Sequence, residues 1–256
     1  MRIGVLQICS VQDYRQNLAK IRKYLKEAKD LGAQAVFLPE CFYSLGDGSA
    51  ITPHLVEGEN EHYLNIKNLA TEFSLYVLGG SAATKVGDKI YNRNFNFDPM
   101  GNLIGTYDKI HLFACEIGPK KVDEGRLYQK GSVEKLIQVR DLKIGLSICF
   151  DLRYPQMFQN YVKSGANLLT ISSAFTVPTG KAHWHTLIRA RAIENQCFVV
   201  ASAQWGVHNE KVTTYGHSLV VDPWGEILID LGEGEKIQVV DLNLEKITEV
   251  KKRIYM

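Results

Sequence analysis

The chain is written twice, and that repetition limits its fold more than any other feature. Arg2-Ile3-Gly4-Val5-Leu6-Gln7-Ile8-Cys9 resembles Lys143-Ile144-Gly145-Leu146-Ser147-Ile148-Cys149. Gly32-Ala33-Gln34-Ala35-Val36-Phe37-Leu38 resembles Gly165-Ala166-Asn167-Leu168-Leu169-Thr170-Ile171, and Leu75-Tyr76-Val77-Leu78 is matched by Cys197-Phe198-Val199-Val200. Asp98-Pro99-Met100-Gly101 and Asp222-Pro223-Trp224-Gly225 each join two strand-like runs, as a hairpin turn does. Coincidence could supply any one match, but hardly all of them in the same order.

Each copy therefore reads strand, helix, strand, helix, strand, hairpin. Leu18, Ile21, Leu25 and Ala28 lie at helical spacing in the first helix; Leu64, Leu69 and Phe73 mark the second, after Glu61. A helix in the other copy is expected from about His183 to Asn195, with Trp184, Leu187, Ile188 and Ala192 on its apolar side. Strands this uniformly apolar need cover on both faces. Two half-units with helices on one side can bury their bare sheet faces against each other. The expected fold is α/β: a four-layer α-β-β-α sandwich with an internal pseudo-two-fold, forming one domain over residues 1–256. The stretch from Ala114 to Val133 belongs to neither copy and lacks periodicity, which marks it as a functional loop.

Composition narrows the partners. A net charge of +2, with acids and bases interspersed, argues against nucleic acid or a membrane surface. Five cysteines without framework spacing argue against a disulfide scaffold and for a reducing compartment. Met1 to Ile8 reads directly as a strand, with no signal-peptide pattern, and no apolar run approaches a membrane span. A cytoplasmic protein is expected.

Three strand ends carry reactive groups. Leu142 to Phe150 reads as a buried strand that ends at Cys149, just before Asp151-Leu152-Arg153-Tyr154-Pro155 breaks it. A thiol there is either a small core hydrophobe or a nucleophile at the carboxyl end of a core strand. Glu40 tips another apolar strand, where the second copy has Ser172-Ser173; alone it could be a solvated carboxylate. Lys109 follows the first hairpin among Tyr107, Ile110, Leu112 and Phe113, a partly apolar setting for a residue that is usually a surface charge. Together they make a nucleophile, a proton carrier and an electrophilic stabiliser. The thiol needs a neighbour to take its proton. A carboxylate in an apolar pocket can act as base and then acid. A fixed ammonium can stabilise an oxyanion.

The strings FLPECF (37–42), YDKIHLF (107–113) and SICFDLRYP (147–155) closely resemble the glutamate, lysine and cysteine motifs of the nitrilase superfamily of carbon–nitrogen hydrolases. The stretches SSAFTVPTGKAHWHTLIRARAIENQCFVVASAQWG (172–206) and YGHSLVVDPWGEI (215–227) resemble the branch containing deaminated-glutathione amidases and omega-amidases. The resemblance runs over nearly the whole chain. It implies the same four-layer sandwich, and catalysis by Glu40, Lys109 and Cys149. The family's second glutamate falls most naturally on Glu124, which would orient Lys109 or the substrate and would otherwise pass as loop charge. An amide would be cleaved through a thioester, with Lys109 and the Phe150 backbone N–H holding the oxyanion, and without metal or organic cofactor.

Arg153, four residues past the nucleophile, can reach the same pocket mouth and bind a carboxylate through two hydrogen bonds, or it can pair with Asp151. Thr176 could add a hydroxyl, and Tyr43 could wall the acyl chain. These residues favour a small anionic amide: deaminated glutathione, with alpha-ketoglutaramate as the alternative. The resemblance also implies a homodimer, for which the helix from Pro155 (Met157, Phe158, Tyr161, Val162) and the Trp184 helix are candidate contacts. The chain departs from the family at His185, where a glutamate is usual, and in its early carboxyl end at Tyr255-Met256.

Other readings fare worse. No Gly-x-Ser-x-Gly elbow is present for a serine hydrolase. A zinc site on His183 and His185 is disfavoured, because alternate helix positions diverge and no third ligand is evident. Cys41 reads as a packing thiol. A non-catalytic metabolite-binding module of the same fold has no need of the intact Glu40, Lys109 and Cys149.

Overall fold

The computed structural model describes residues 1–117 and 120–255; Met256 lies outside them. The first copy runs β1 (Arg2–Gln7), α1 (Tyr14–Asp30), β2 (Ala35–Phe37), a short β3 (Val56–Glu57), α2 (Glu61–Phe73), β4 (Tyr76–Leu78), β5 (Ser81–Val86), β6 (Lys89–Phe97) and β7 (Leu103–Asp108). The expected loop holds a hairpin, β8 (Ala114–Ile117) and β9 (Lys120–Asp123), and a helical turn, Glu124–Arg126. The second copy follows β10 (Leu136–Val139) as β11 (Leu142–Ile148), α3 (Pro155–Lys163), β12 (Leu168–Ser172), α4 (Val177–Asn195) and β13 (Phe198–Ala201). A small hairpin, β14 (Trp205–Val207) and β15 (Thr213–Tyr215), precedes β16 (Leu219–Val221), β17 (Ile227–Asp230), β18 (Lys236–Asp241) and α5 (Glu245–Arg253). No helix of the described residues is long and apolar enough to cross a membrane.

Two sheets form, ordered β18-β1-β2-β4-β6-β5-β3, with β7 also on β6, and β10-β11-β12-β13-β16-β17. In each, three parallel strands of one copy are followed by an antiparallel hairpin. Side chains alternate across the first sheet as a strand requires. Ile3, Val5, Ala35, Phe37 and Leu78 join the core shared with the second sheet, α3 and α4. Leu6, Val36, Leu38 and Val77 join the core beneath α1 and α2. The layers are thus α1/α2, sheet, sheet, α3/α4, the sandwich that the repeat predicts.

The repeat is imprinted in local detail. Asp98 and Asp222 each fold their turns by accepting two backbone N–H groups, from Met100 and Asn102 (2.8 and 2.9 Å) and from Trp224 and Glu226 (2.8 and 2.9 Å). Gly32 and Gly165, past α1 and α3, both take positive φ (80° and 90°), which glycine adopts without a Cβ clash. One feature breaks the copy boundary. The strand after the first copy, β10, pairs with β11, whereas β18, after the second copy, pairs with β1. Each half therefore closes the other half's sheet.

Three expectations need correction. In α2 the buried stripe is Ile66, Leu69 and Ala70, while Leu64 is 41% exposed. Two residues before Ile66, Leu64 lies about 200° round the helix and faces away. Helix α4 begins at Val177 rather than near His183, because Pro178 sits in the first turn, where its missing N–H costs nothing. Met157, Phe158, Tyr161 and Trp184, offered as dimer contacts, are buried inside their own chain, and Val162 packs against the same core. The Trp184 indole N–H donates to the His217 carbonyl (2.7 Å).

Candidate active site

The strand β11 ends in a turn that cannot relax. Cys149 takes a left-handed φ of 50°, a conformation that costs a residue with a Cβ about 1–3 kcal/mol. The buried carboxylate of Asp151 holds it there. Its Oδ2 accepts the Ile148 N–H (2.9 Å) and the Tyr107 hydroxyl (2.7 Å), and its Oδ1 accepts the His111 backbone N–H (2.9 Å). The His111 ring Nδ1 also lies 2.8 Å from Oδ1. Asp151 thus fixes the thiol's turn against the Tyr107–His111 segment, which carries Lys109. It makes no ion pair with Arg153, the alternative role weighed for that arginine.

Glu40, just past β2, and Lys109, just past β7, are both buried. The Lys109 ammonium donates to Glu40 Oε1 (2.8 Å) and to Glu124 Oε2 (2.8 Å). Asn92, on β6, sends its side-chain N–H groups to the same two acids, Glu40 Oε1 (2.8 Å) and Glu124 Oε1 (3.1 Å). Glu124 Oε2 also accepts the Phe113 N–H (2.8 Å). The non-repeated loop thus returns an acid to the lysine. Both bonds to Glu40 fall on Oε1, so among the described residues none competes for Oε2.

Electrostatics follow from this packing. Burial alone would lower Lys109, but Glu124 and Glu40 outweigh it and hold the ammonium well above its ordinary range. Burial, then the Glu40 carboxylate, pushes the Cys149 thiol well above its ordinary range, against the pull of Lys109 and a backbone hydrogen bond from Ala174. At rest the sulfur is therefore a protonated thiol, and its attack requires a base.

Glu40, Lys109, Glu124, Cys149, Phe150 and Arg153 line one cavity of about 180 Å³, which Thr176 also borders. The Arg153 guanidinium lies over the Phe150 and Phe175 rings (5.6 and 5.7 Å to centroid), with its Nη2 3.2 Å from His183 Nδ1. The Thr176 hydroxyl pairs with Thr179 (2.8 Å). Tyr43 does not reach the cavity. It is buried beneath the helices, stacked on Tyr14, with its hydroxyl 2.7 Å from His62 Nδ1. The cause is local: Cys41 takes a positive φ of 53°, and the chain turns away from the strand tip. Cys41 itself borders the cavity.

Two residues of the site escaped sequence reading. Asn92 belongs to a run in which Asn92, Asn94 and Asn96 alternate on one face of β6, all buried. Three amides at a spacing of two, where a strand should turn apolar groups inward, were the available signal. Asp151 sits within the cysteine motif, where the sequence offers it only as a partner for Arg153.

This fold is that of a known family. The chain belongs to the carbon–nitrogen hydrolases, whose family model matches residues 2–252. It is an enzyme that hydrolyses the carbon–nitrogen bond of amides. It is 38% identical over 261 residues to the deaminated glutathione amidase of Bos taurus, a match covering 98% of this chain and 79% of that protein. It is 34% identical over 251 residues to omega-amidase NIT2 of the same species, covering 97% and 90%. The solved structure of Saccharomyces cerevisiae Nit3, a member of branch 10 of the nitrilase superfamily, superposes with a TM-score of 0.90 at 29% identity, over 100% of this chain and 94% of that one.

Proposed function

We propose that the enzyme cleaves a small anionic carboxamide through a thioester on Cys149, with deaminated glutathione as the preferred substrate. The observation that carries the mechanism is the Lys109 ammonium held between Glu40 and Glu124 in the cavity that Cys149 lines. Glu40, through Oε2, takes the thiol proton as sulfur attacks the amide carbon. Lys109 and the Phe150 N–H stabilise the oxyanion. Glu40 then protonates the departing ammonia and activates the water that hydrolyses the acyl-enzyme. Glu124 and Asn92 keep Lys109 from pairing with Glu40 alone, so the base stays available. No metal or organic cofactor takes part in this scheme.

Arg153 supplies the specificity, its charge held over two aromatic rings where an incoming carboxylate can meet it. Thr176 adds a hydroxyl to the same rim. The similarity to deaminated glutathione amidases supports the longer substrate, and that to omega-amidases makes alpha-ketoglutaramate the second. Ammonia release from a panel of amides tests this. Deaminated glutathione should be cleaved best and alpha-ketoglutaramate more weakly. Faster turnover of short neutral amides or nitriles would sink the substrate assignment. Arg153→Ala should raise KM for the anionic amides about tenfold, the loss of one charge-assisted contact, with kcat little changed.

We also propose a single domain working as a cytoplasmic homodimer. Five free thiols support a reducing compartment, and the dimer is what the motif resemblance to the nitrilase superfamily implies. With the apolar faces of α3 and α4 turned inward, pairing must use the outer faces of those helices. Light scattering that finds a clean monomer at micromolar concentration would refute it.

A further inference from the structure

Away from the cavity, three residues from separate segments meet at the surface. His185 lies on α4, His217 just before β16 and Asp230 at the end of β17. His185 Nε2 is 3.0 Å from Asp230 Oδ2, and His217 Nδ1 is 2.9 Å from Oδ1. The three candidate ligand atoms all lie within 4.8 Å of one another. We propose that this cluster is a binding site for a divalent transition-metal ion of the zinc type, independent of catalysis.

The donor set fits. Two imidazoles and one carboxylate suit zinc, with a fourth position left for water. Bonds of about 2.1 Å at tetrahedral angles place neighbouring ligand atoms about 3.4 Å apart. The edges from Asp230 Oδ2 to His185 Nε2 (3.0 Å) and to His217 Nδ1 (3.2 Å) are already near that length, so binding requires only that the imidazoles close together. All three side chains are partly exposed, about a quarter to a third, so an ion has access and the rings have room to turn.

The surroundings fix the ligands in place. His217 holds a left-handed φ of 55°, with its N–H donating to the Gly232 carbonyl (3.0 Å) and its carbonyl accepting the Trp184 indole (2.7 Å). The Tyr215 ring stacks on its imidazole at 4.4 Å. Asp230 Oδ1 accepts the Gly232 N–H (2.9 Å). Such outer contacts orient metal ligands. In the metal-free state each imidazole can donate its inner N–H to the carboxylate. For binding, that proton moves to the outer ring nitrogen, and the inner lone pair turns to the ion. Among the described residues no hydrogen bond holds the outer nitrogens, so nothing opposes the exchange. His183 takes no part: it lies against Arg153, and the ligands missing from the sequence reading of His185 come from distant segments.

Zinc titration of chelator-treated protein by calorimetry tests the proposal. One equivalent should bind per chain, and His185→Ala, His217→Ala and Asp230→Asn should each weaken binding at least about tenfold. His185→Ala is decisive if His217→Ala fails to fold, since it alters only a partly exposed helix side chain. The Cys41→Ala/Cys149→Ala double variant should bind zinc as the wild type does. Cobalt in place of zinc should give visible d–d bands without a thiolate band in the near ultraviolet. Unchanged affinity in His185→Ala, or loss of binding in the thiol variant, would overturn the site.

Discussion

Cys9 and Cys149 each follow an Ile at the end of the first strand of their half, but in the register that matches Gly4 with Gly145 the position of Cys149 is that of Ile8, and Cys9 lies one residue further on. Their surroundings differ completely. Cys149 shares a cavity with Glu40, Lys109 and Glu124. Cys9 instead lies 3.6 Å from His208 Nδ1, its backbone N–H donates to Glu235 (2.8 Å), and Lys20 binds its carbonyl (2.8 Å). Burial pushes its thiol upward too, with a smaller pull downward from Lys20. Counted from the two Asp-Pro turns, the position of Lys109 in one copy is that of Glu233 in the other, and the strand tip that carries Glu40 is met by Ser172-Ser173. A thiol near the end of the first strand is thus found in both halves, one residue out of register. What singles out one of them is the acid and the lysine grafted onto the opposite half.

The comparison breaks most visibly at the thiols themselves. Cys149→Ala should abolish amide turnover with circular dichroism unchanged, while Cys9→Ala should retain near-wild-type kcat; equal losses would end the distinction. Glu40→Gln should cut kcat by about 100- to 10,000-fold, the usual range for a lost general base. It should also shift iodoacetamide labelling of Cys149 to lower pH, since the carboxylate that holds its thiol up is gone, and leave Cys9 labelling untouched. Glu124→Gln should lower kcat by about 10- to 100-fold, the worth of one charge-assisted hydrogen bond to a buried ammonium. Were its kinetics normal, the loop acid would be dispensable. The smallest expected effect compares the scaffold halves. A Cβ at Gly145 would stand 2.7 Å from the Tyr161 ring, whereas one at the equivalent Gly4 meets Val36 at 3.2 Å. Gly145→Ala should therefore cost about 1–3 kcal/mol by denaturant melting, and Gly4→Ala less.

The sandwich was legible because both halves repeat the same apolar strands and the same turns, and that pattern survives without three-dimensional information. The three motif residues were legible because each interrupts an apolar strand end. Asn92 was not, since an amide inside a strand carries no reactive group and gains meaning only when two carboxylates converge on it. Tyr43 was misplaced because one left-handed residue, Cys41, reverses the side to which the next residues point. Trp184 failed as a contact because a helix pattern gives the apolar face but not what covers it. The pairing of His185 with His217 and Asp230 joins residues from separate segments that no local spacing links.

The exchanged edge strands set a timetable for the chain. Residue pairs from Arg2↔Asp241 to Gln7↔Lys236 join segments far apart in the sequence. While the protein is being synthesised, the outer edge of β1 has no partner until β18 has left the ribosome, so the first sheet waits on translation through Asp241. Until then β1 offers a row of unpaired backbone groups to any neighbouring nascent chain. A stall before β18 would leave Glu40 and Lys109 built into a half whose border strand is still missing.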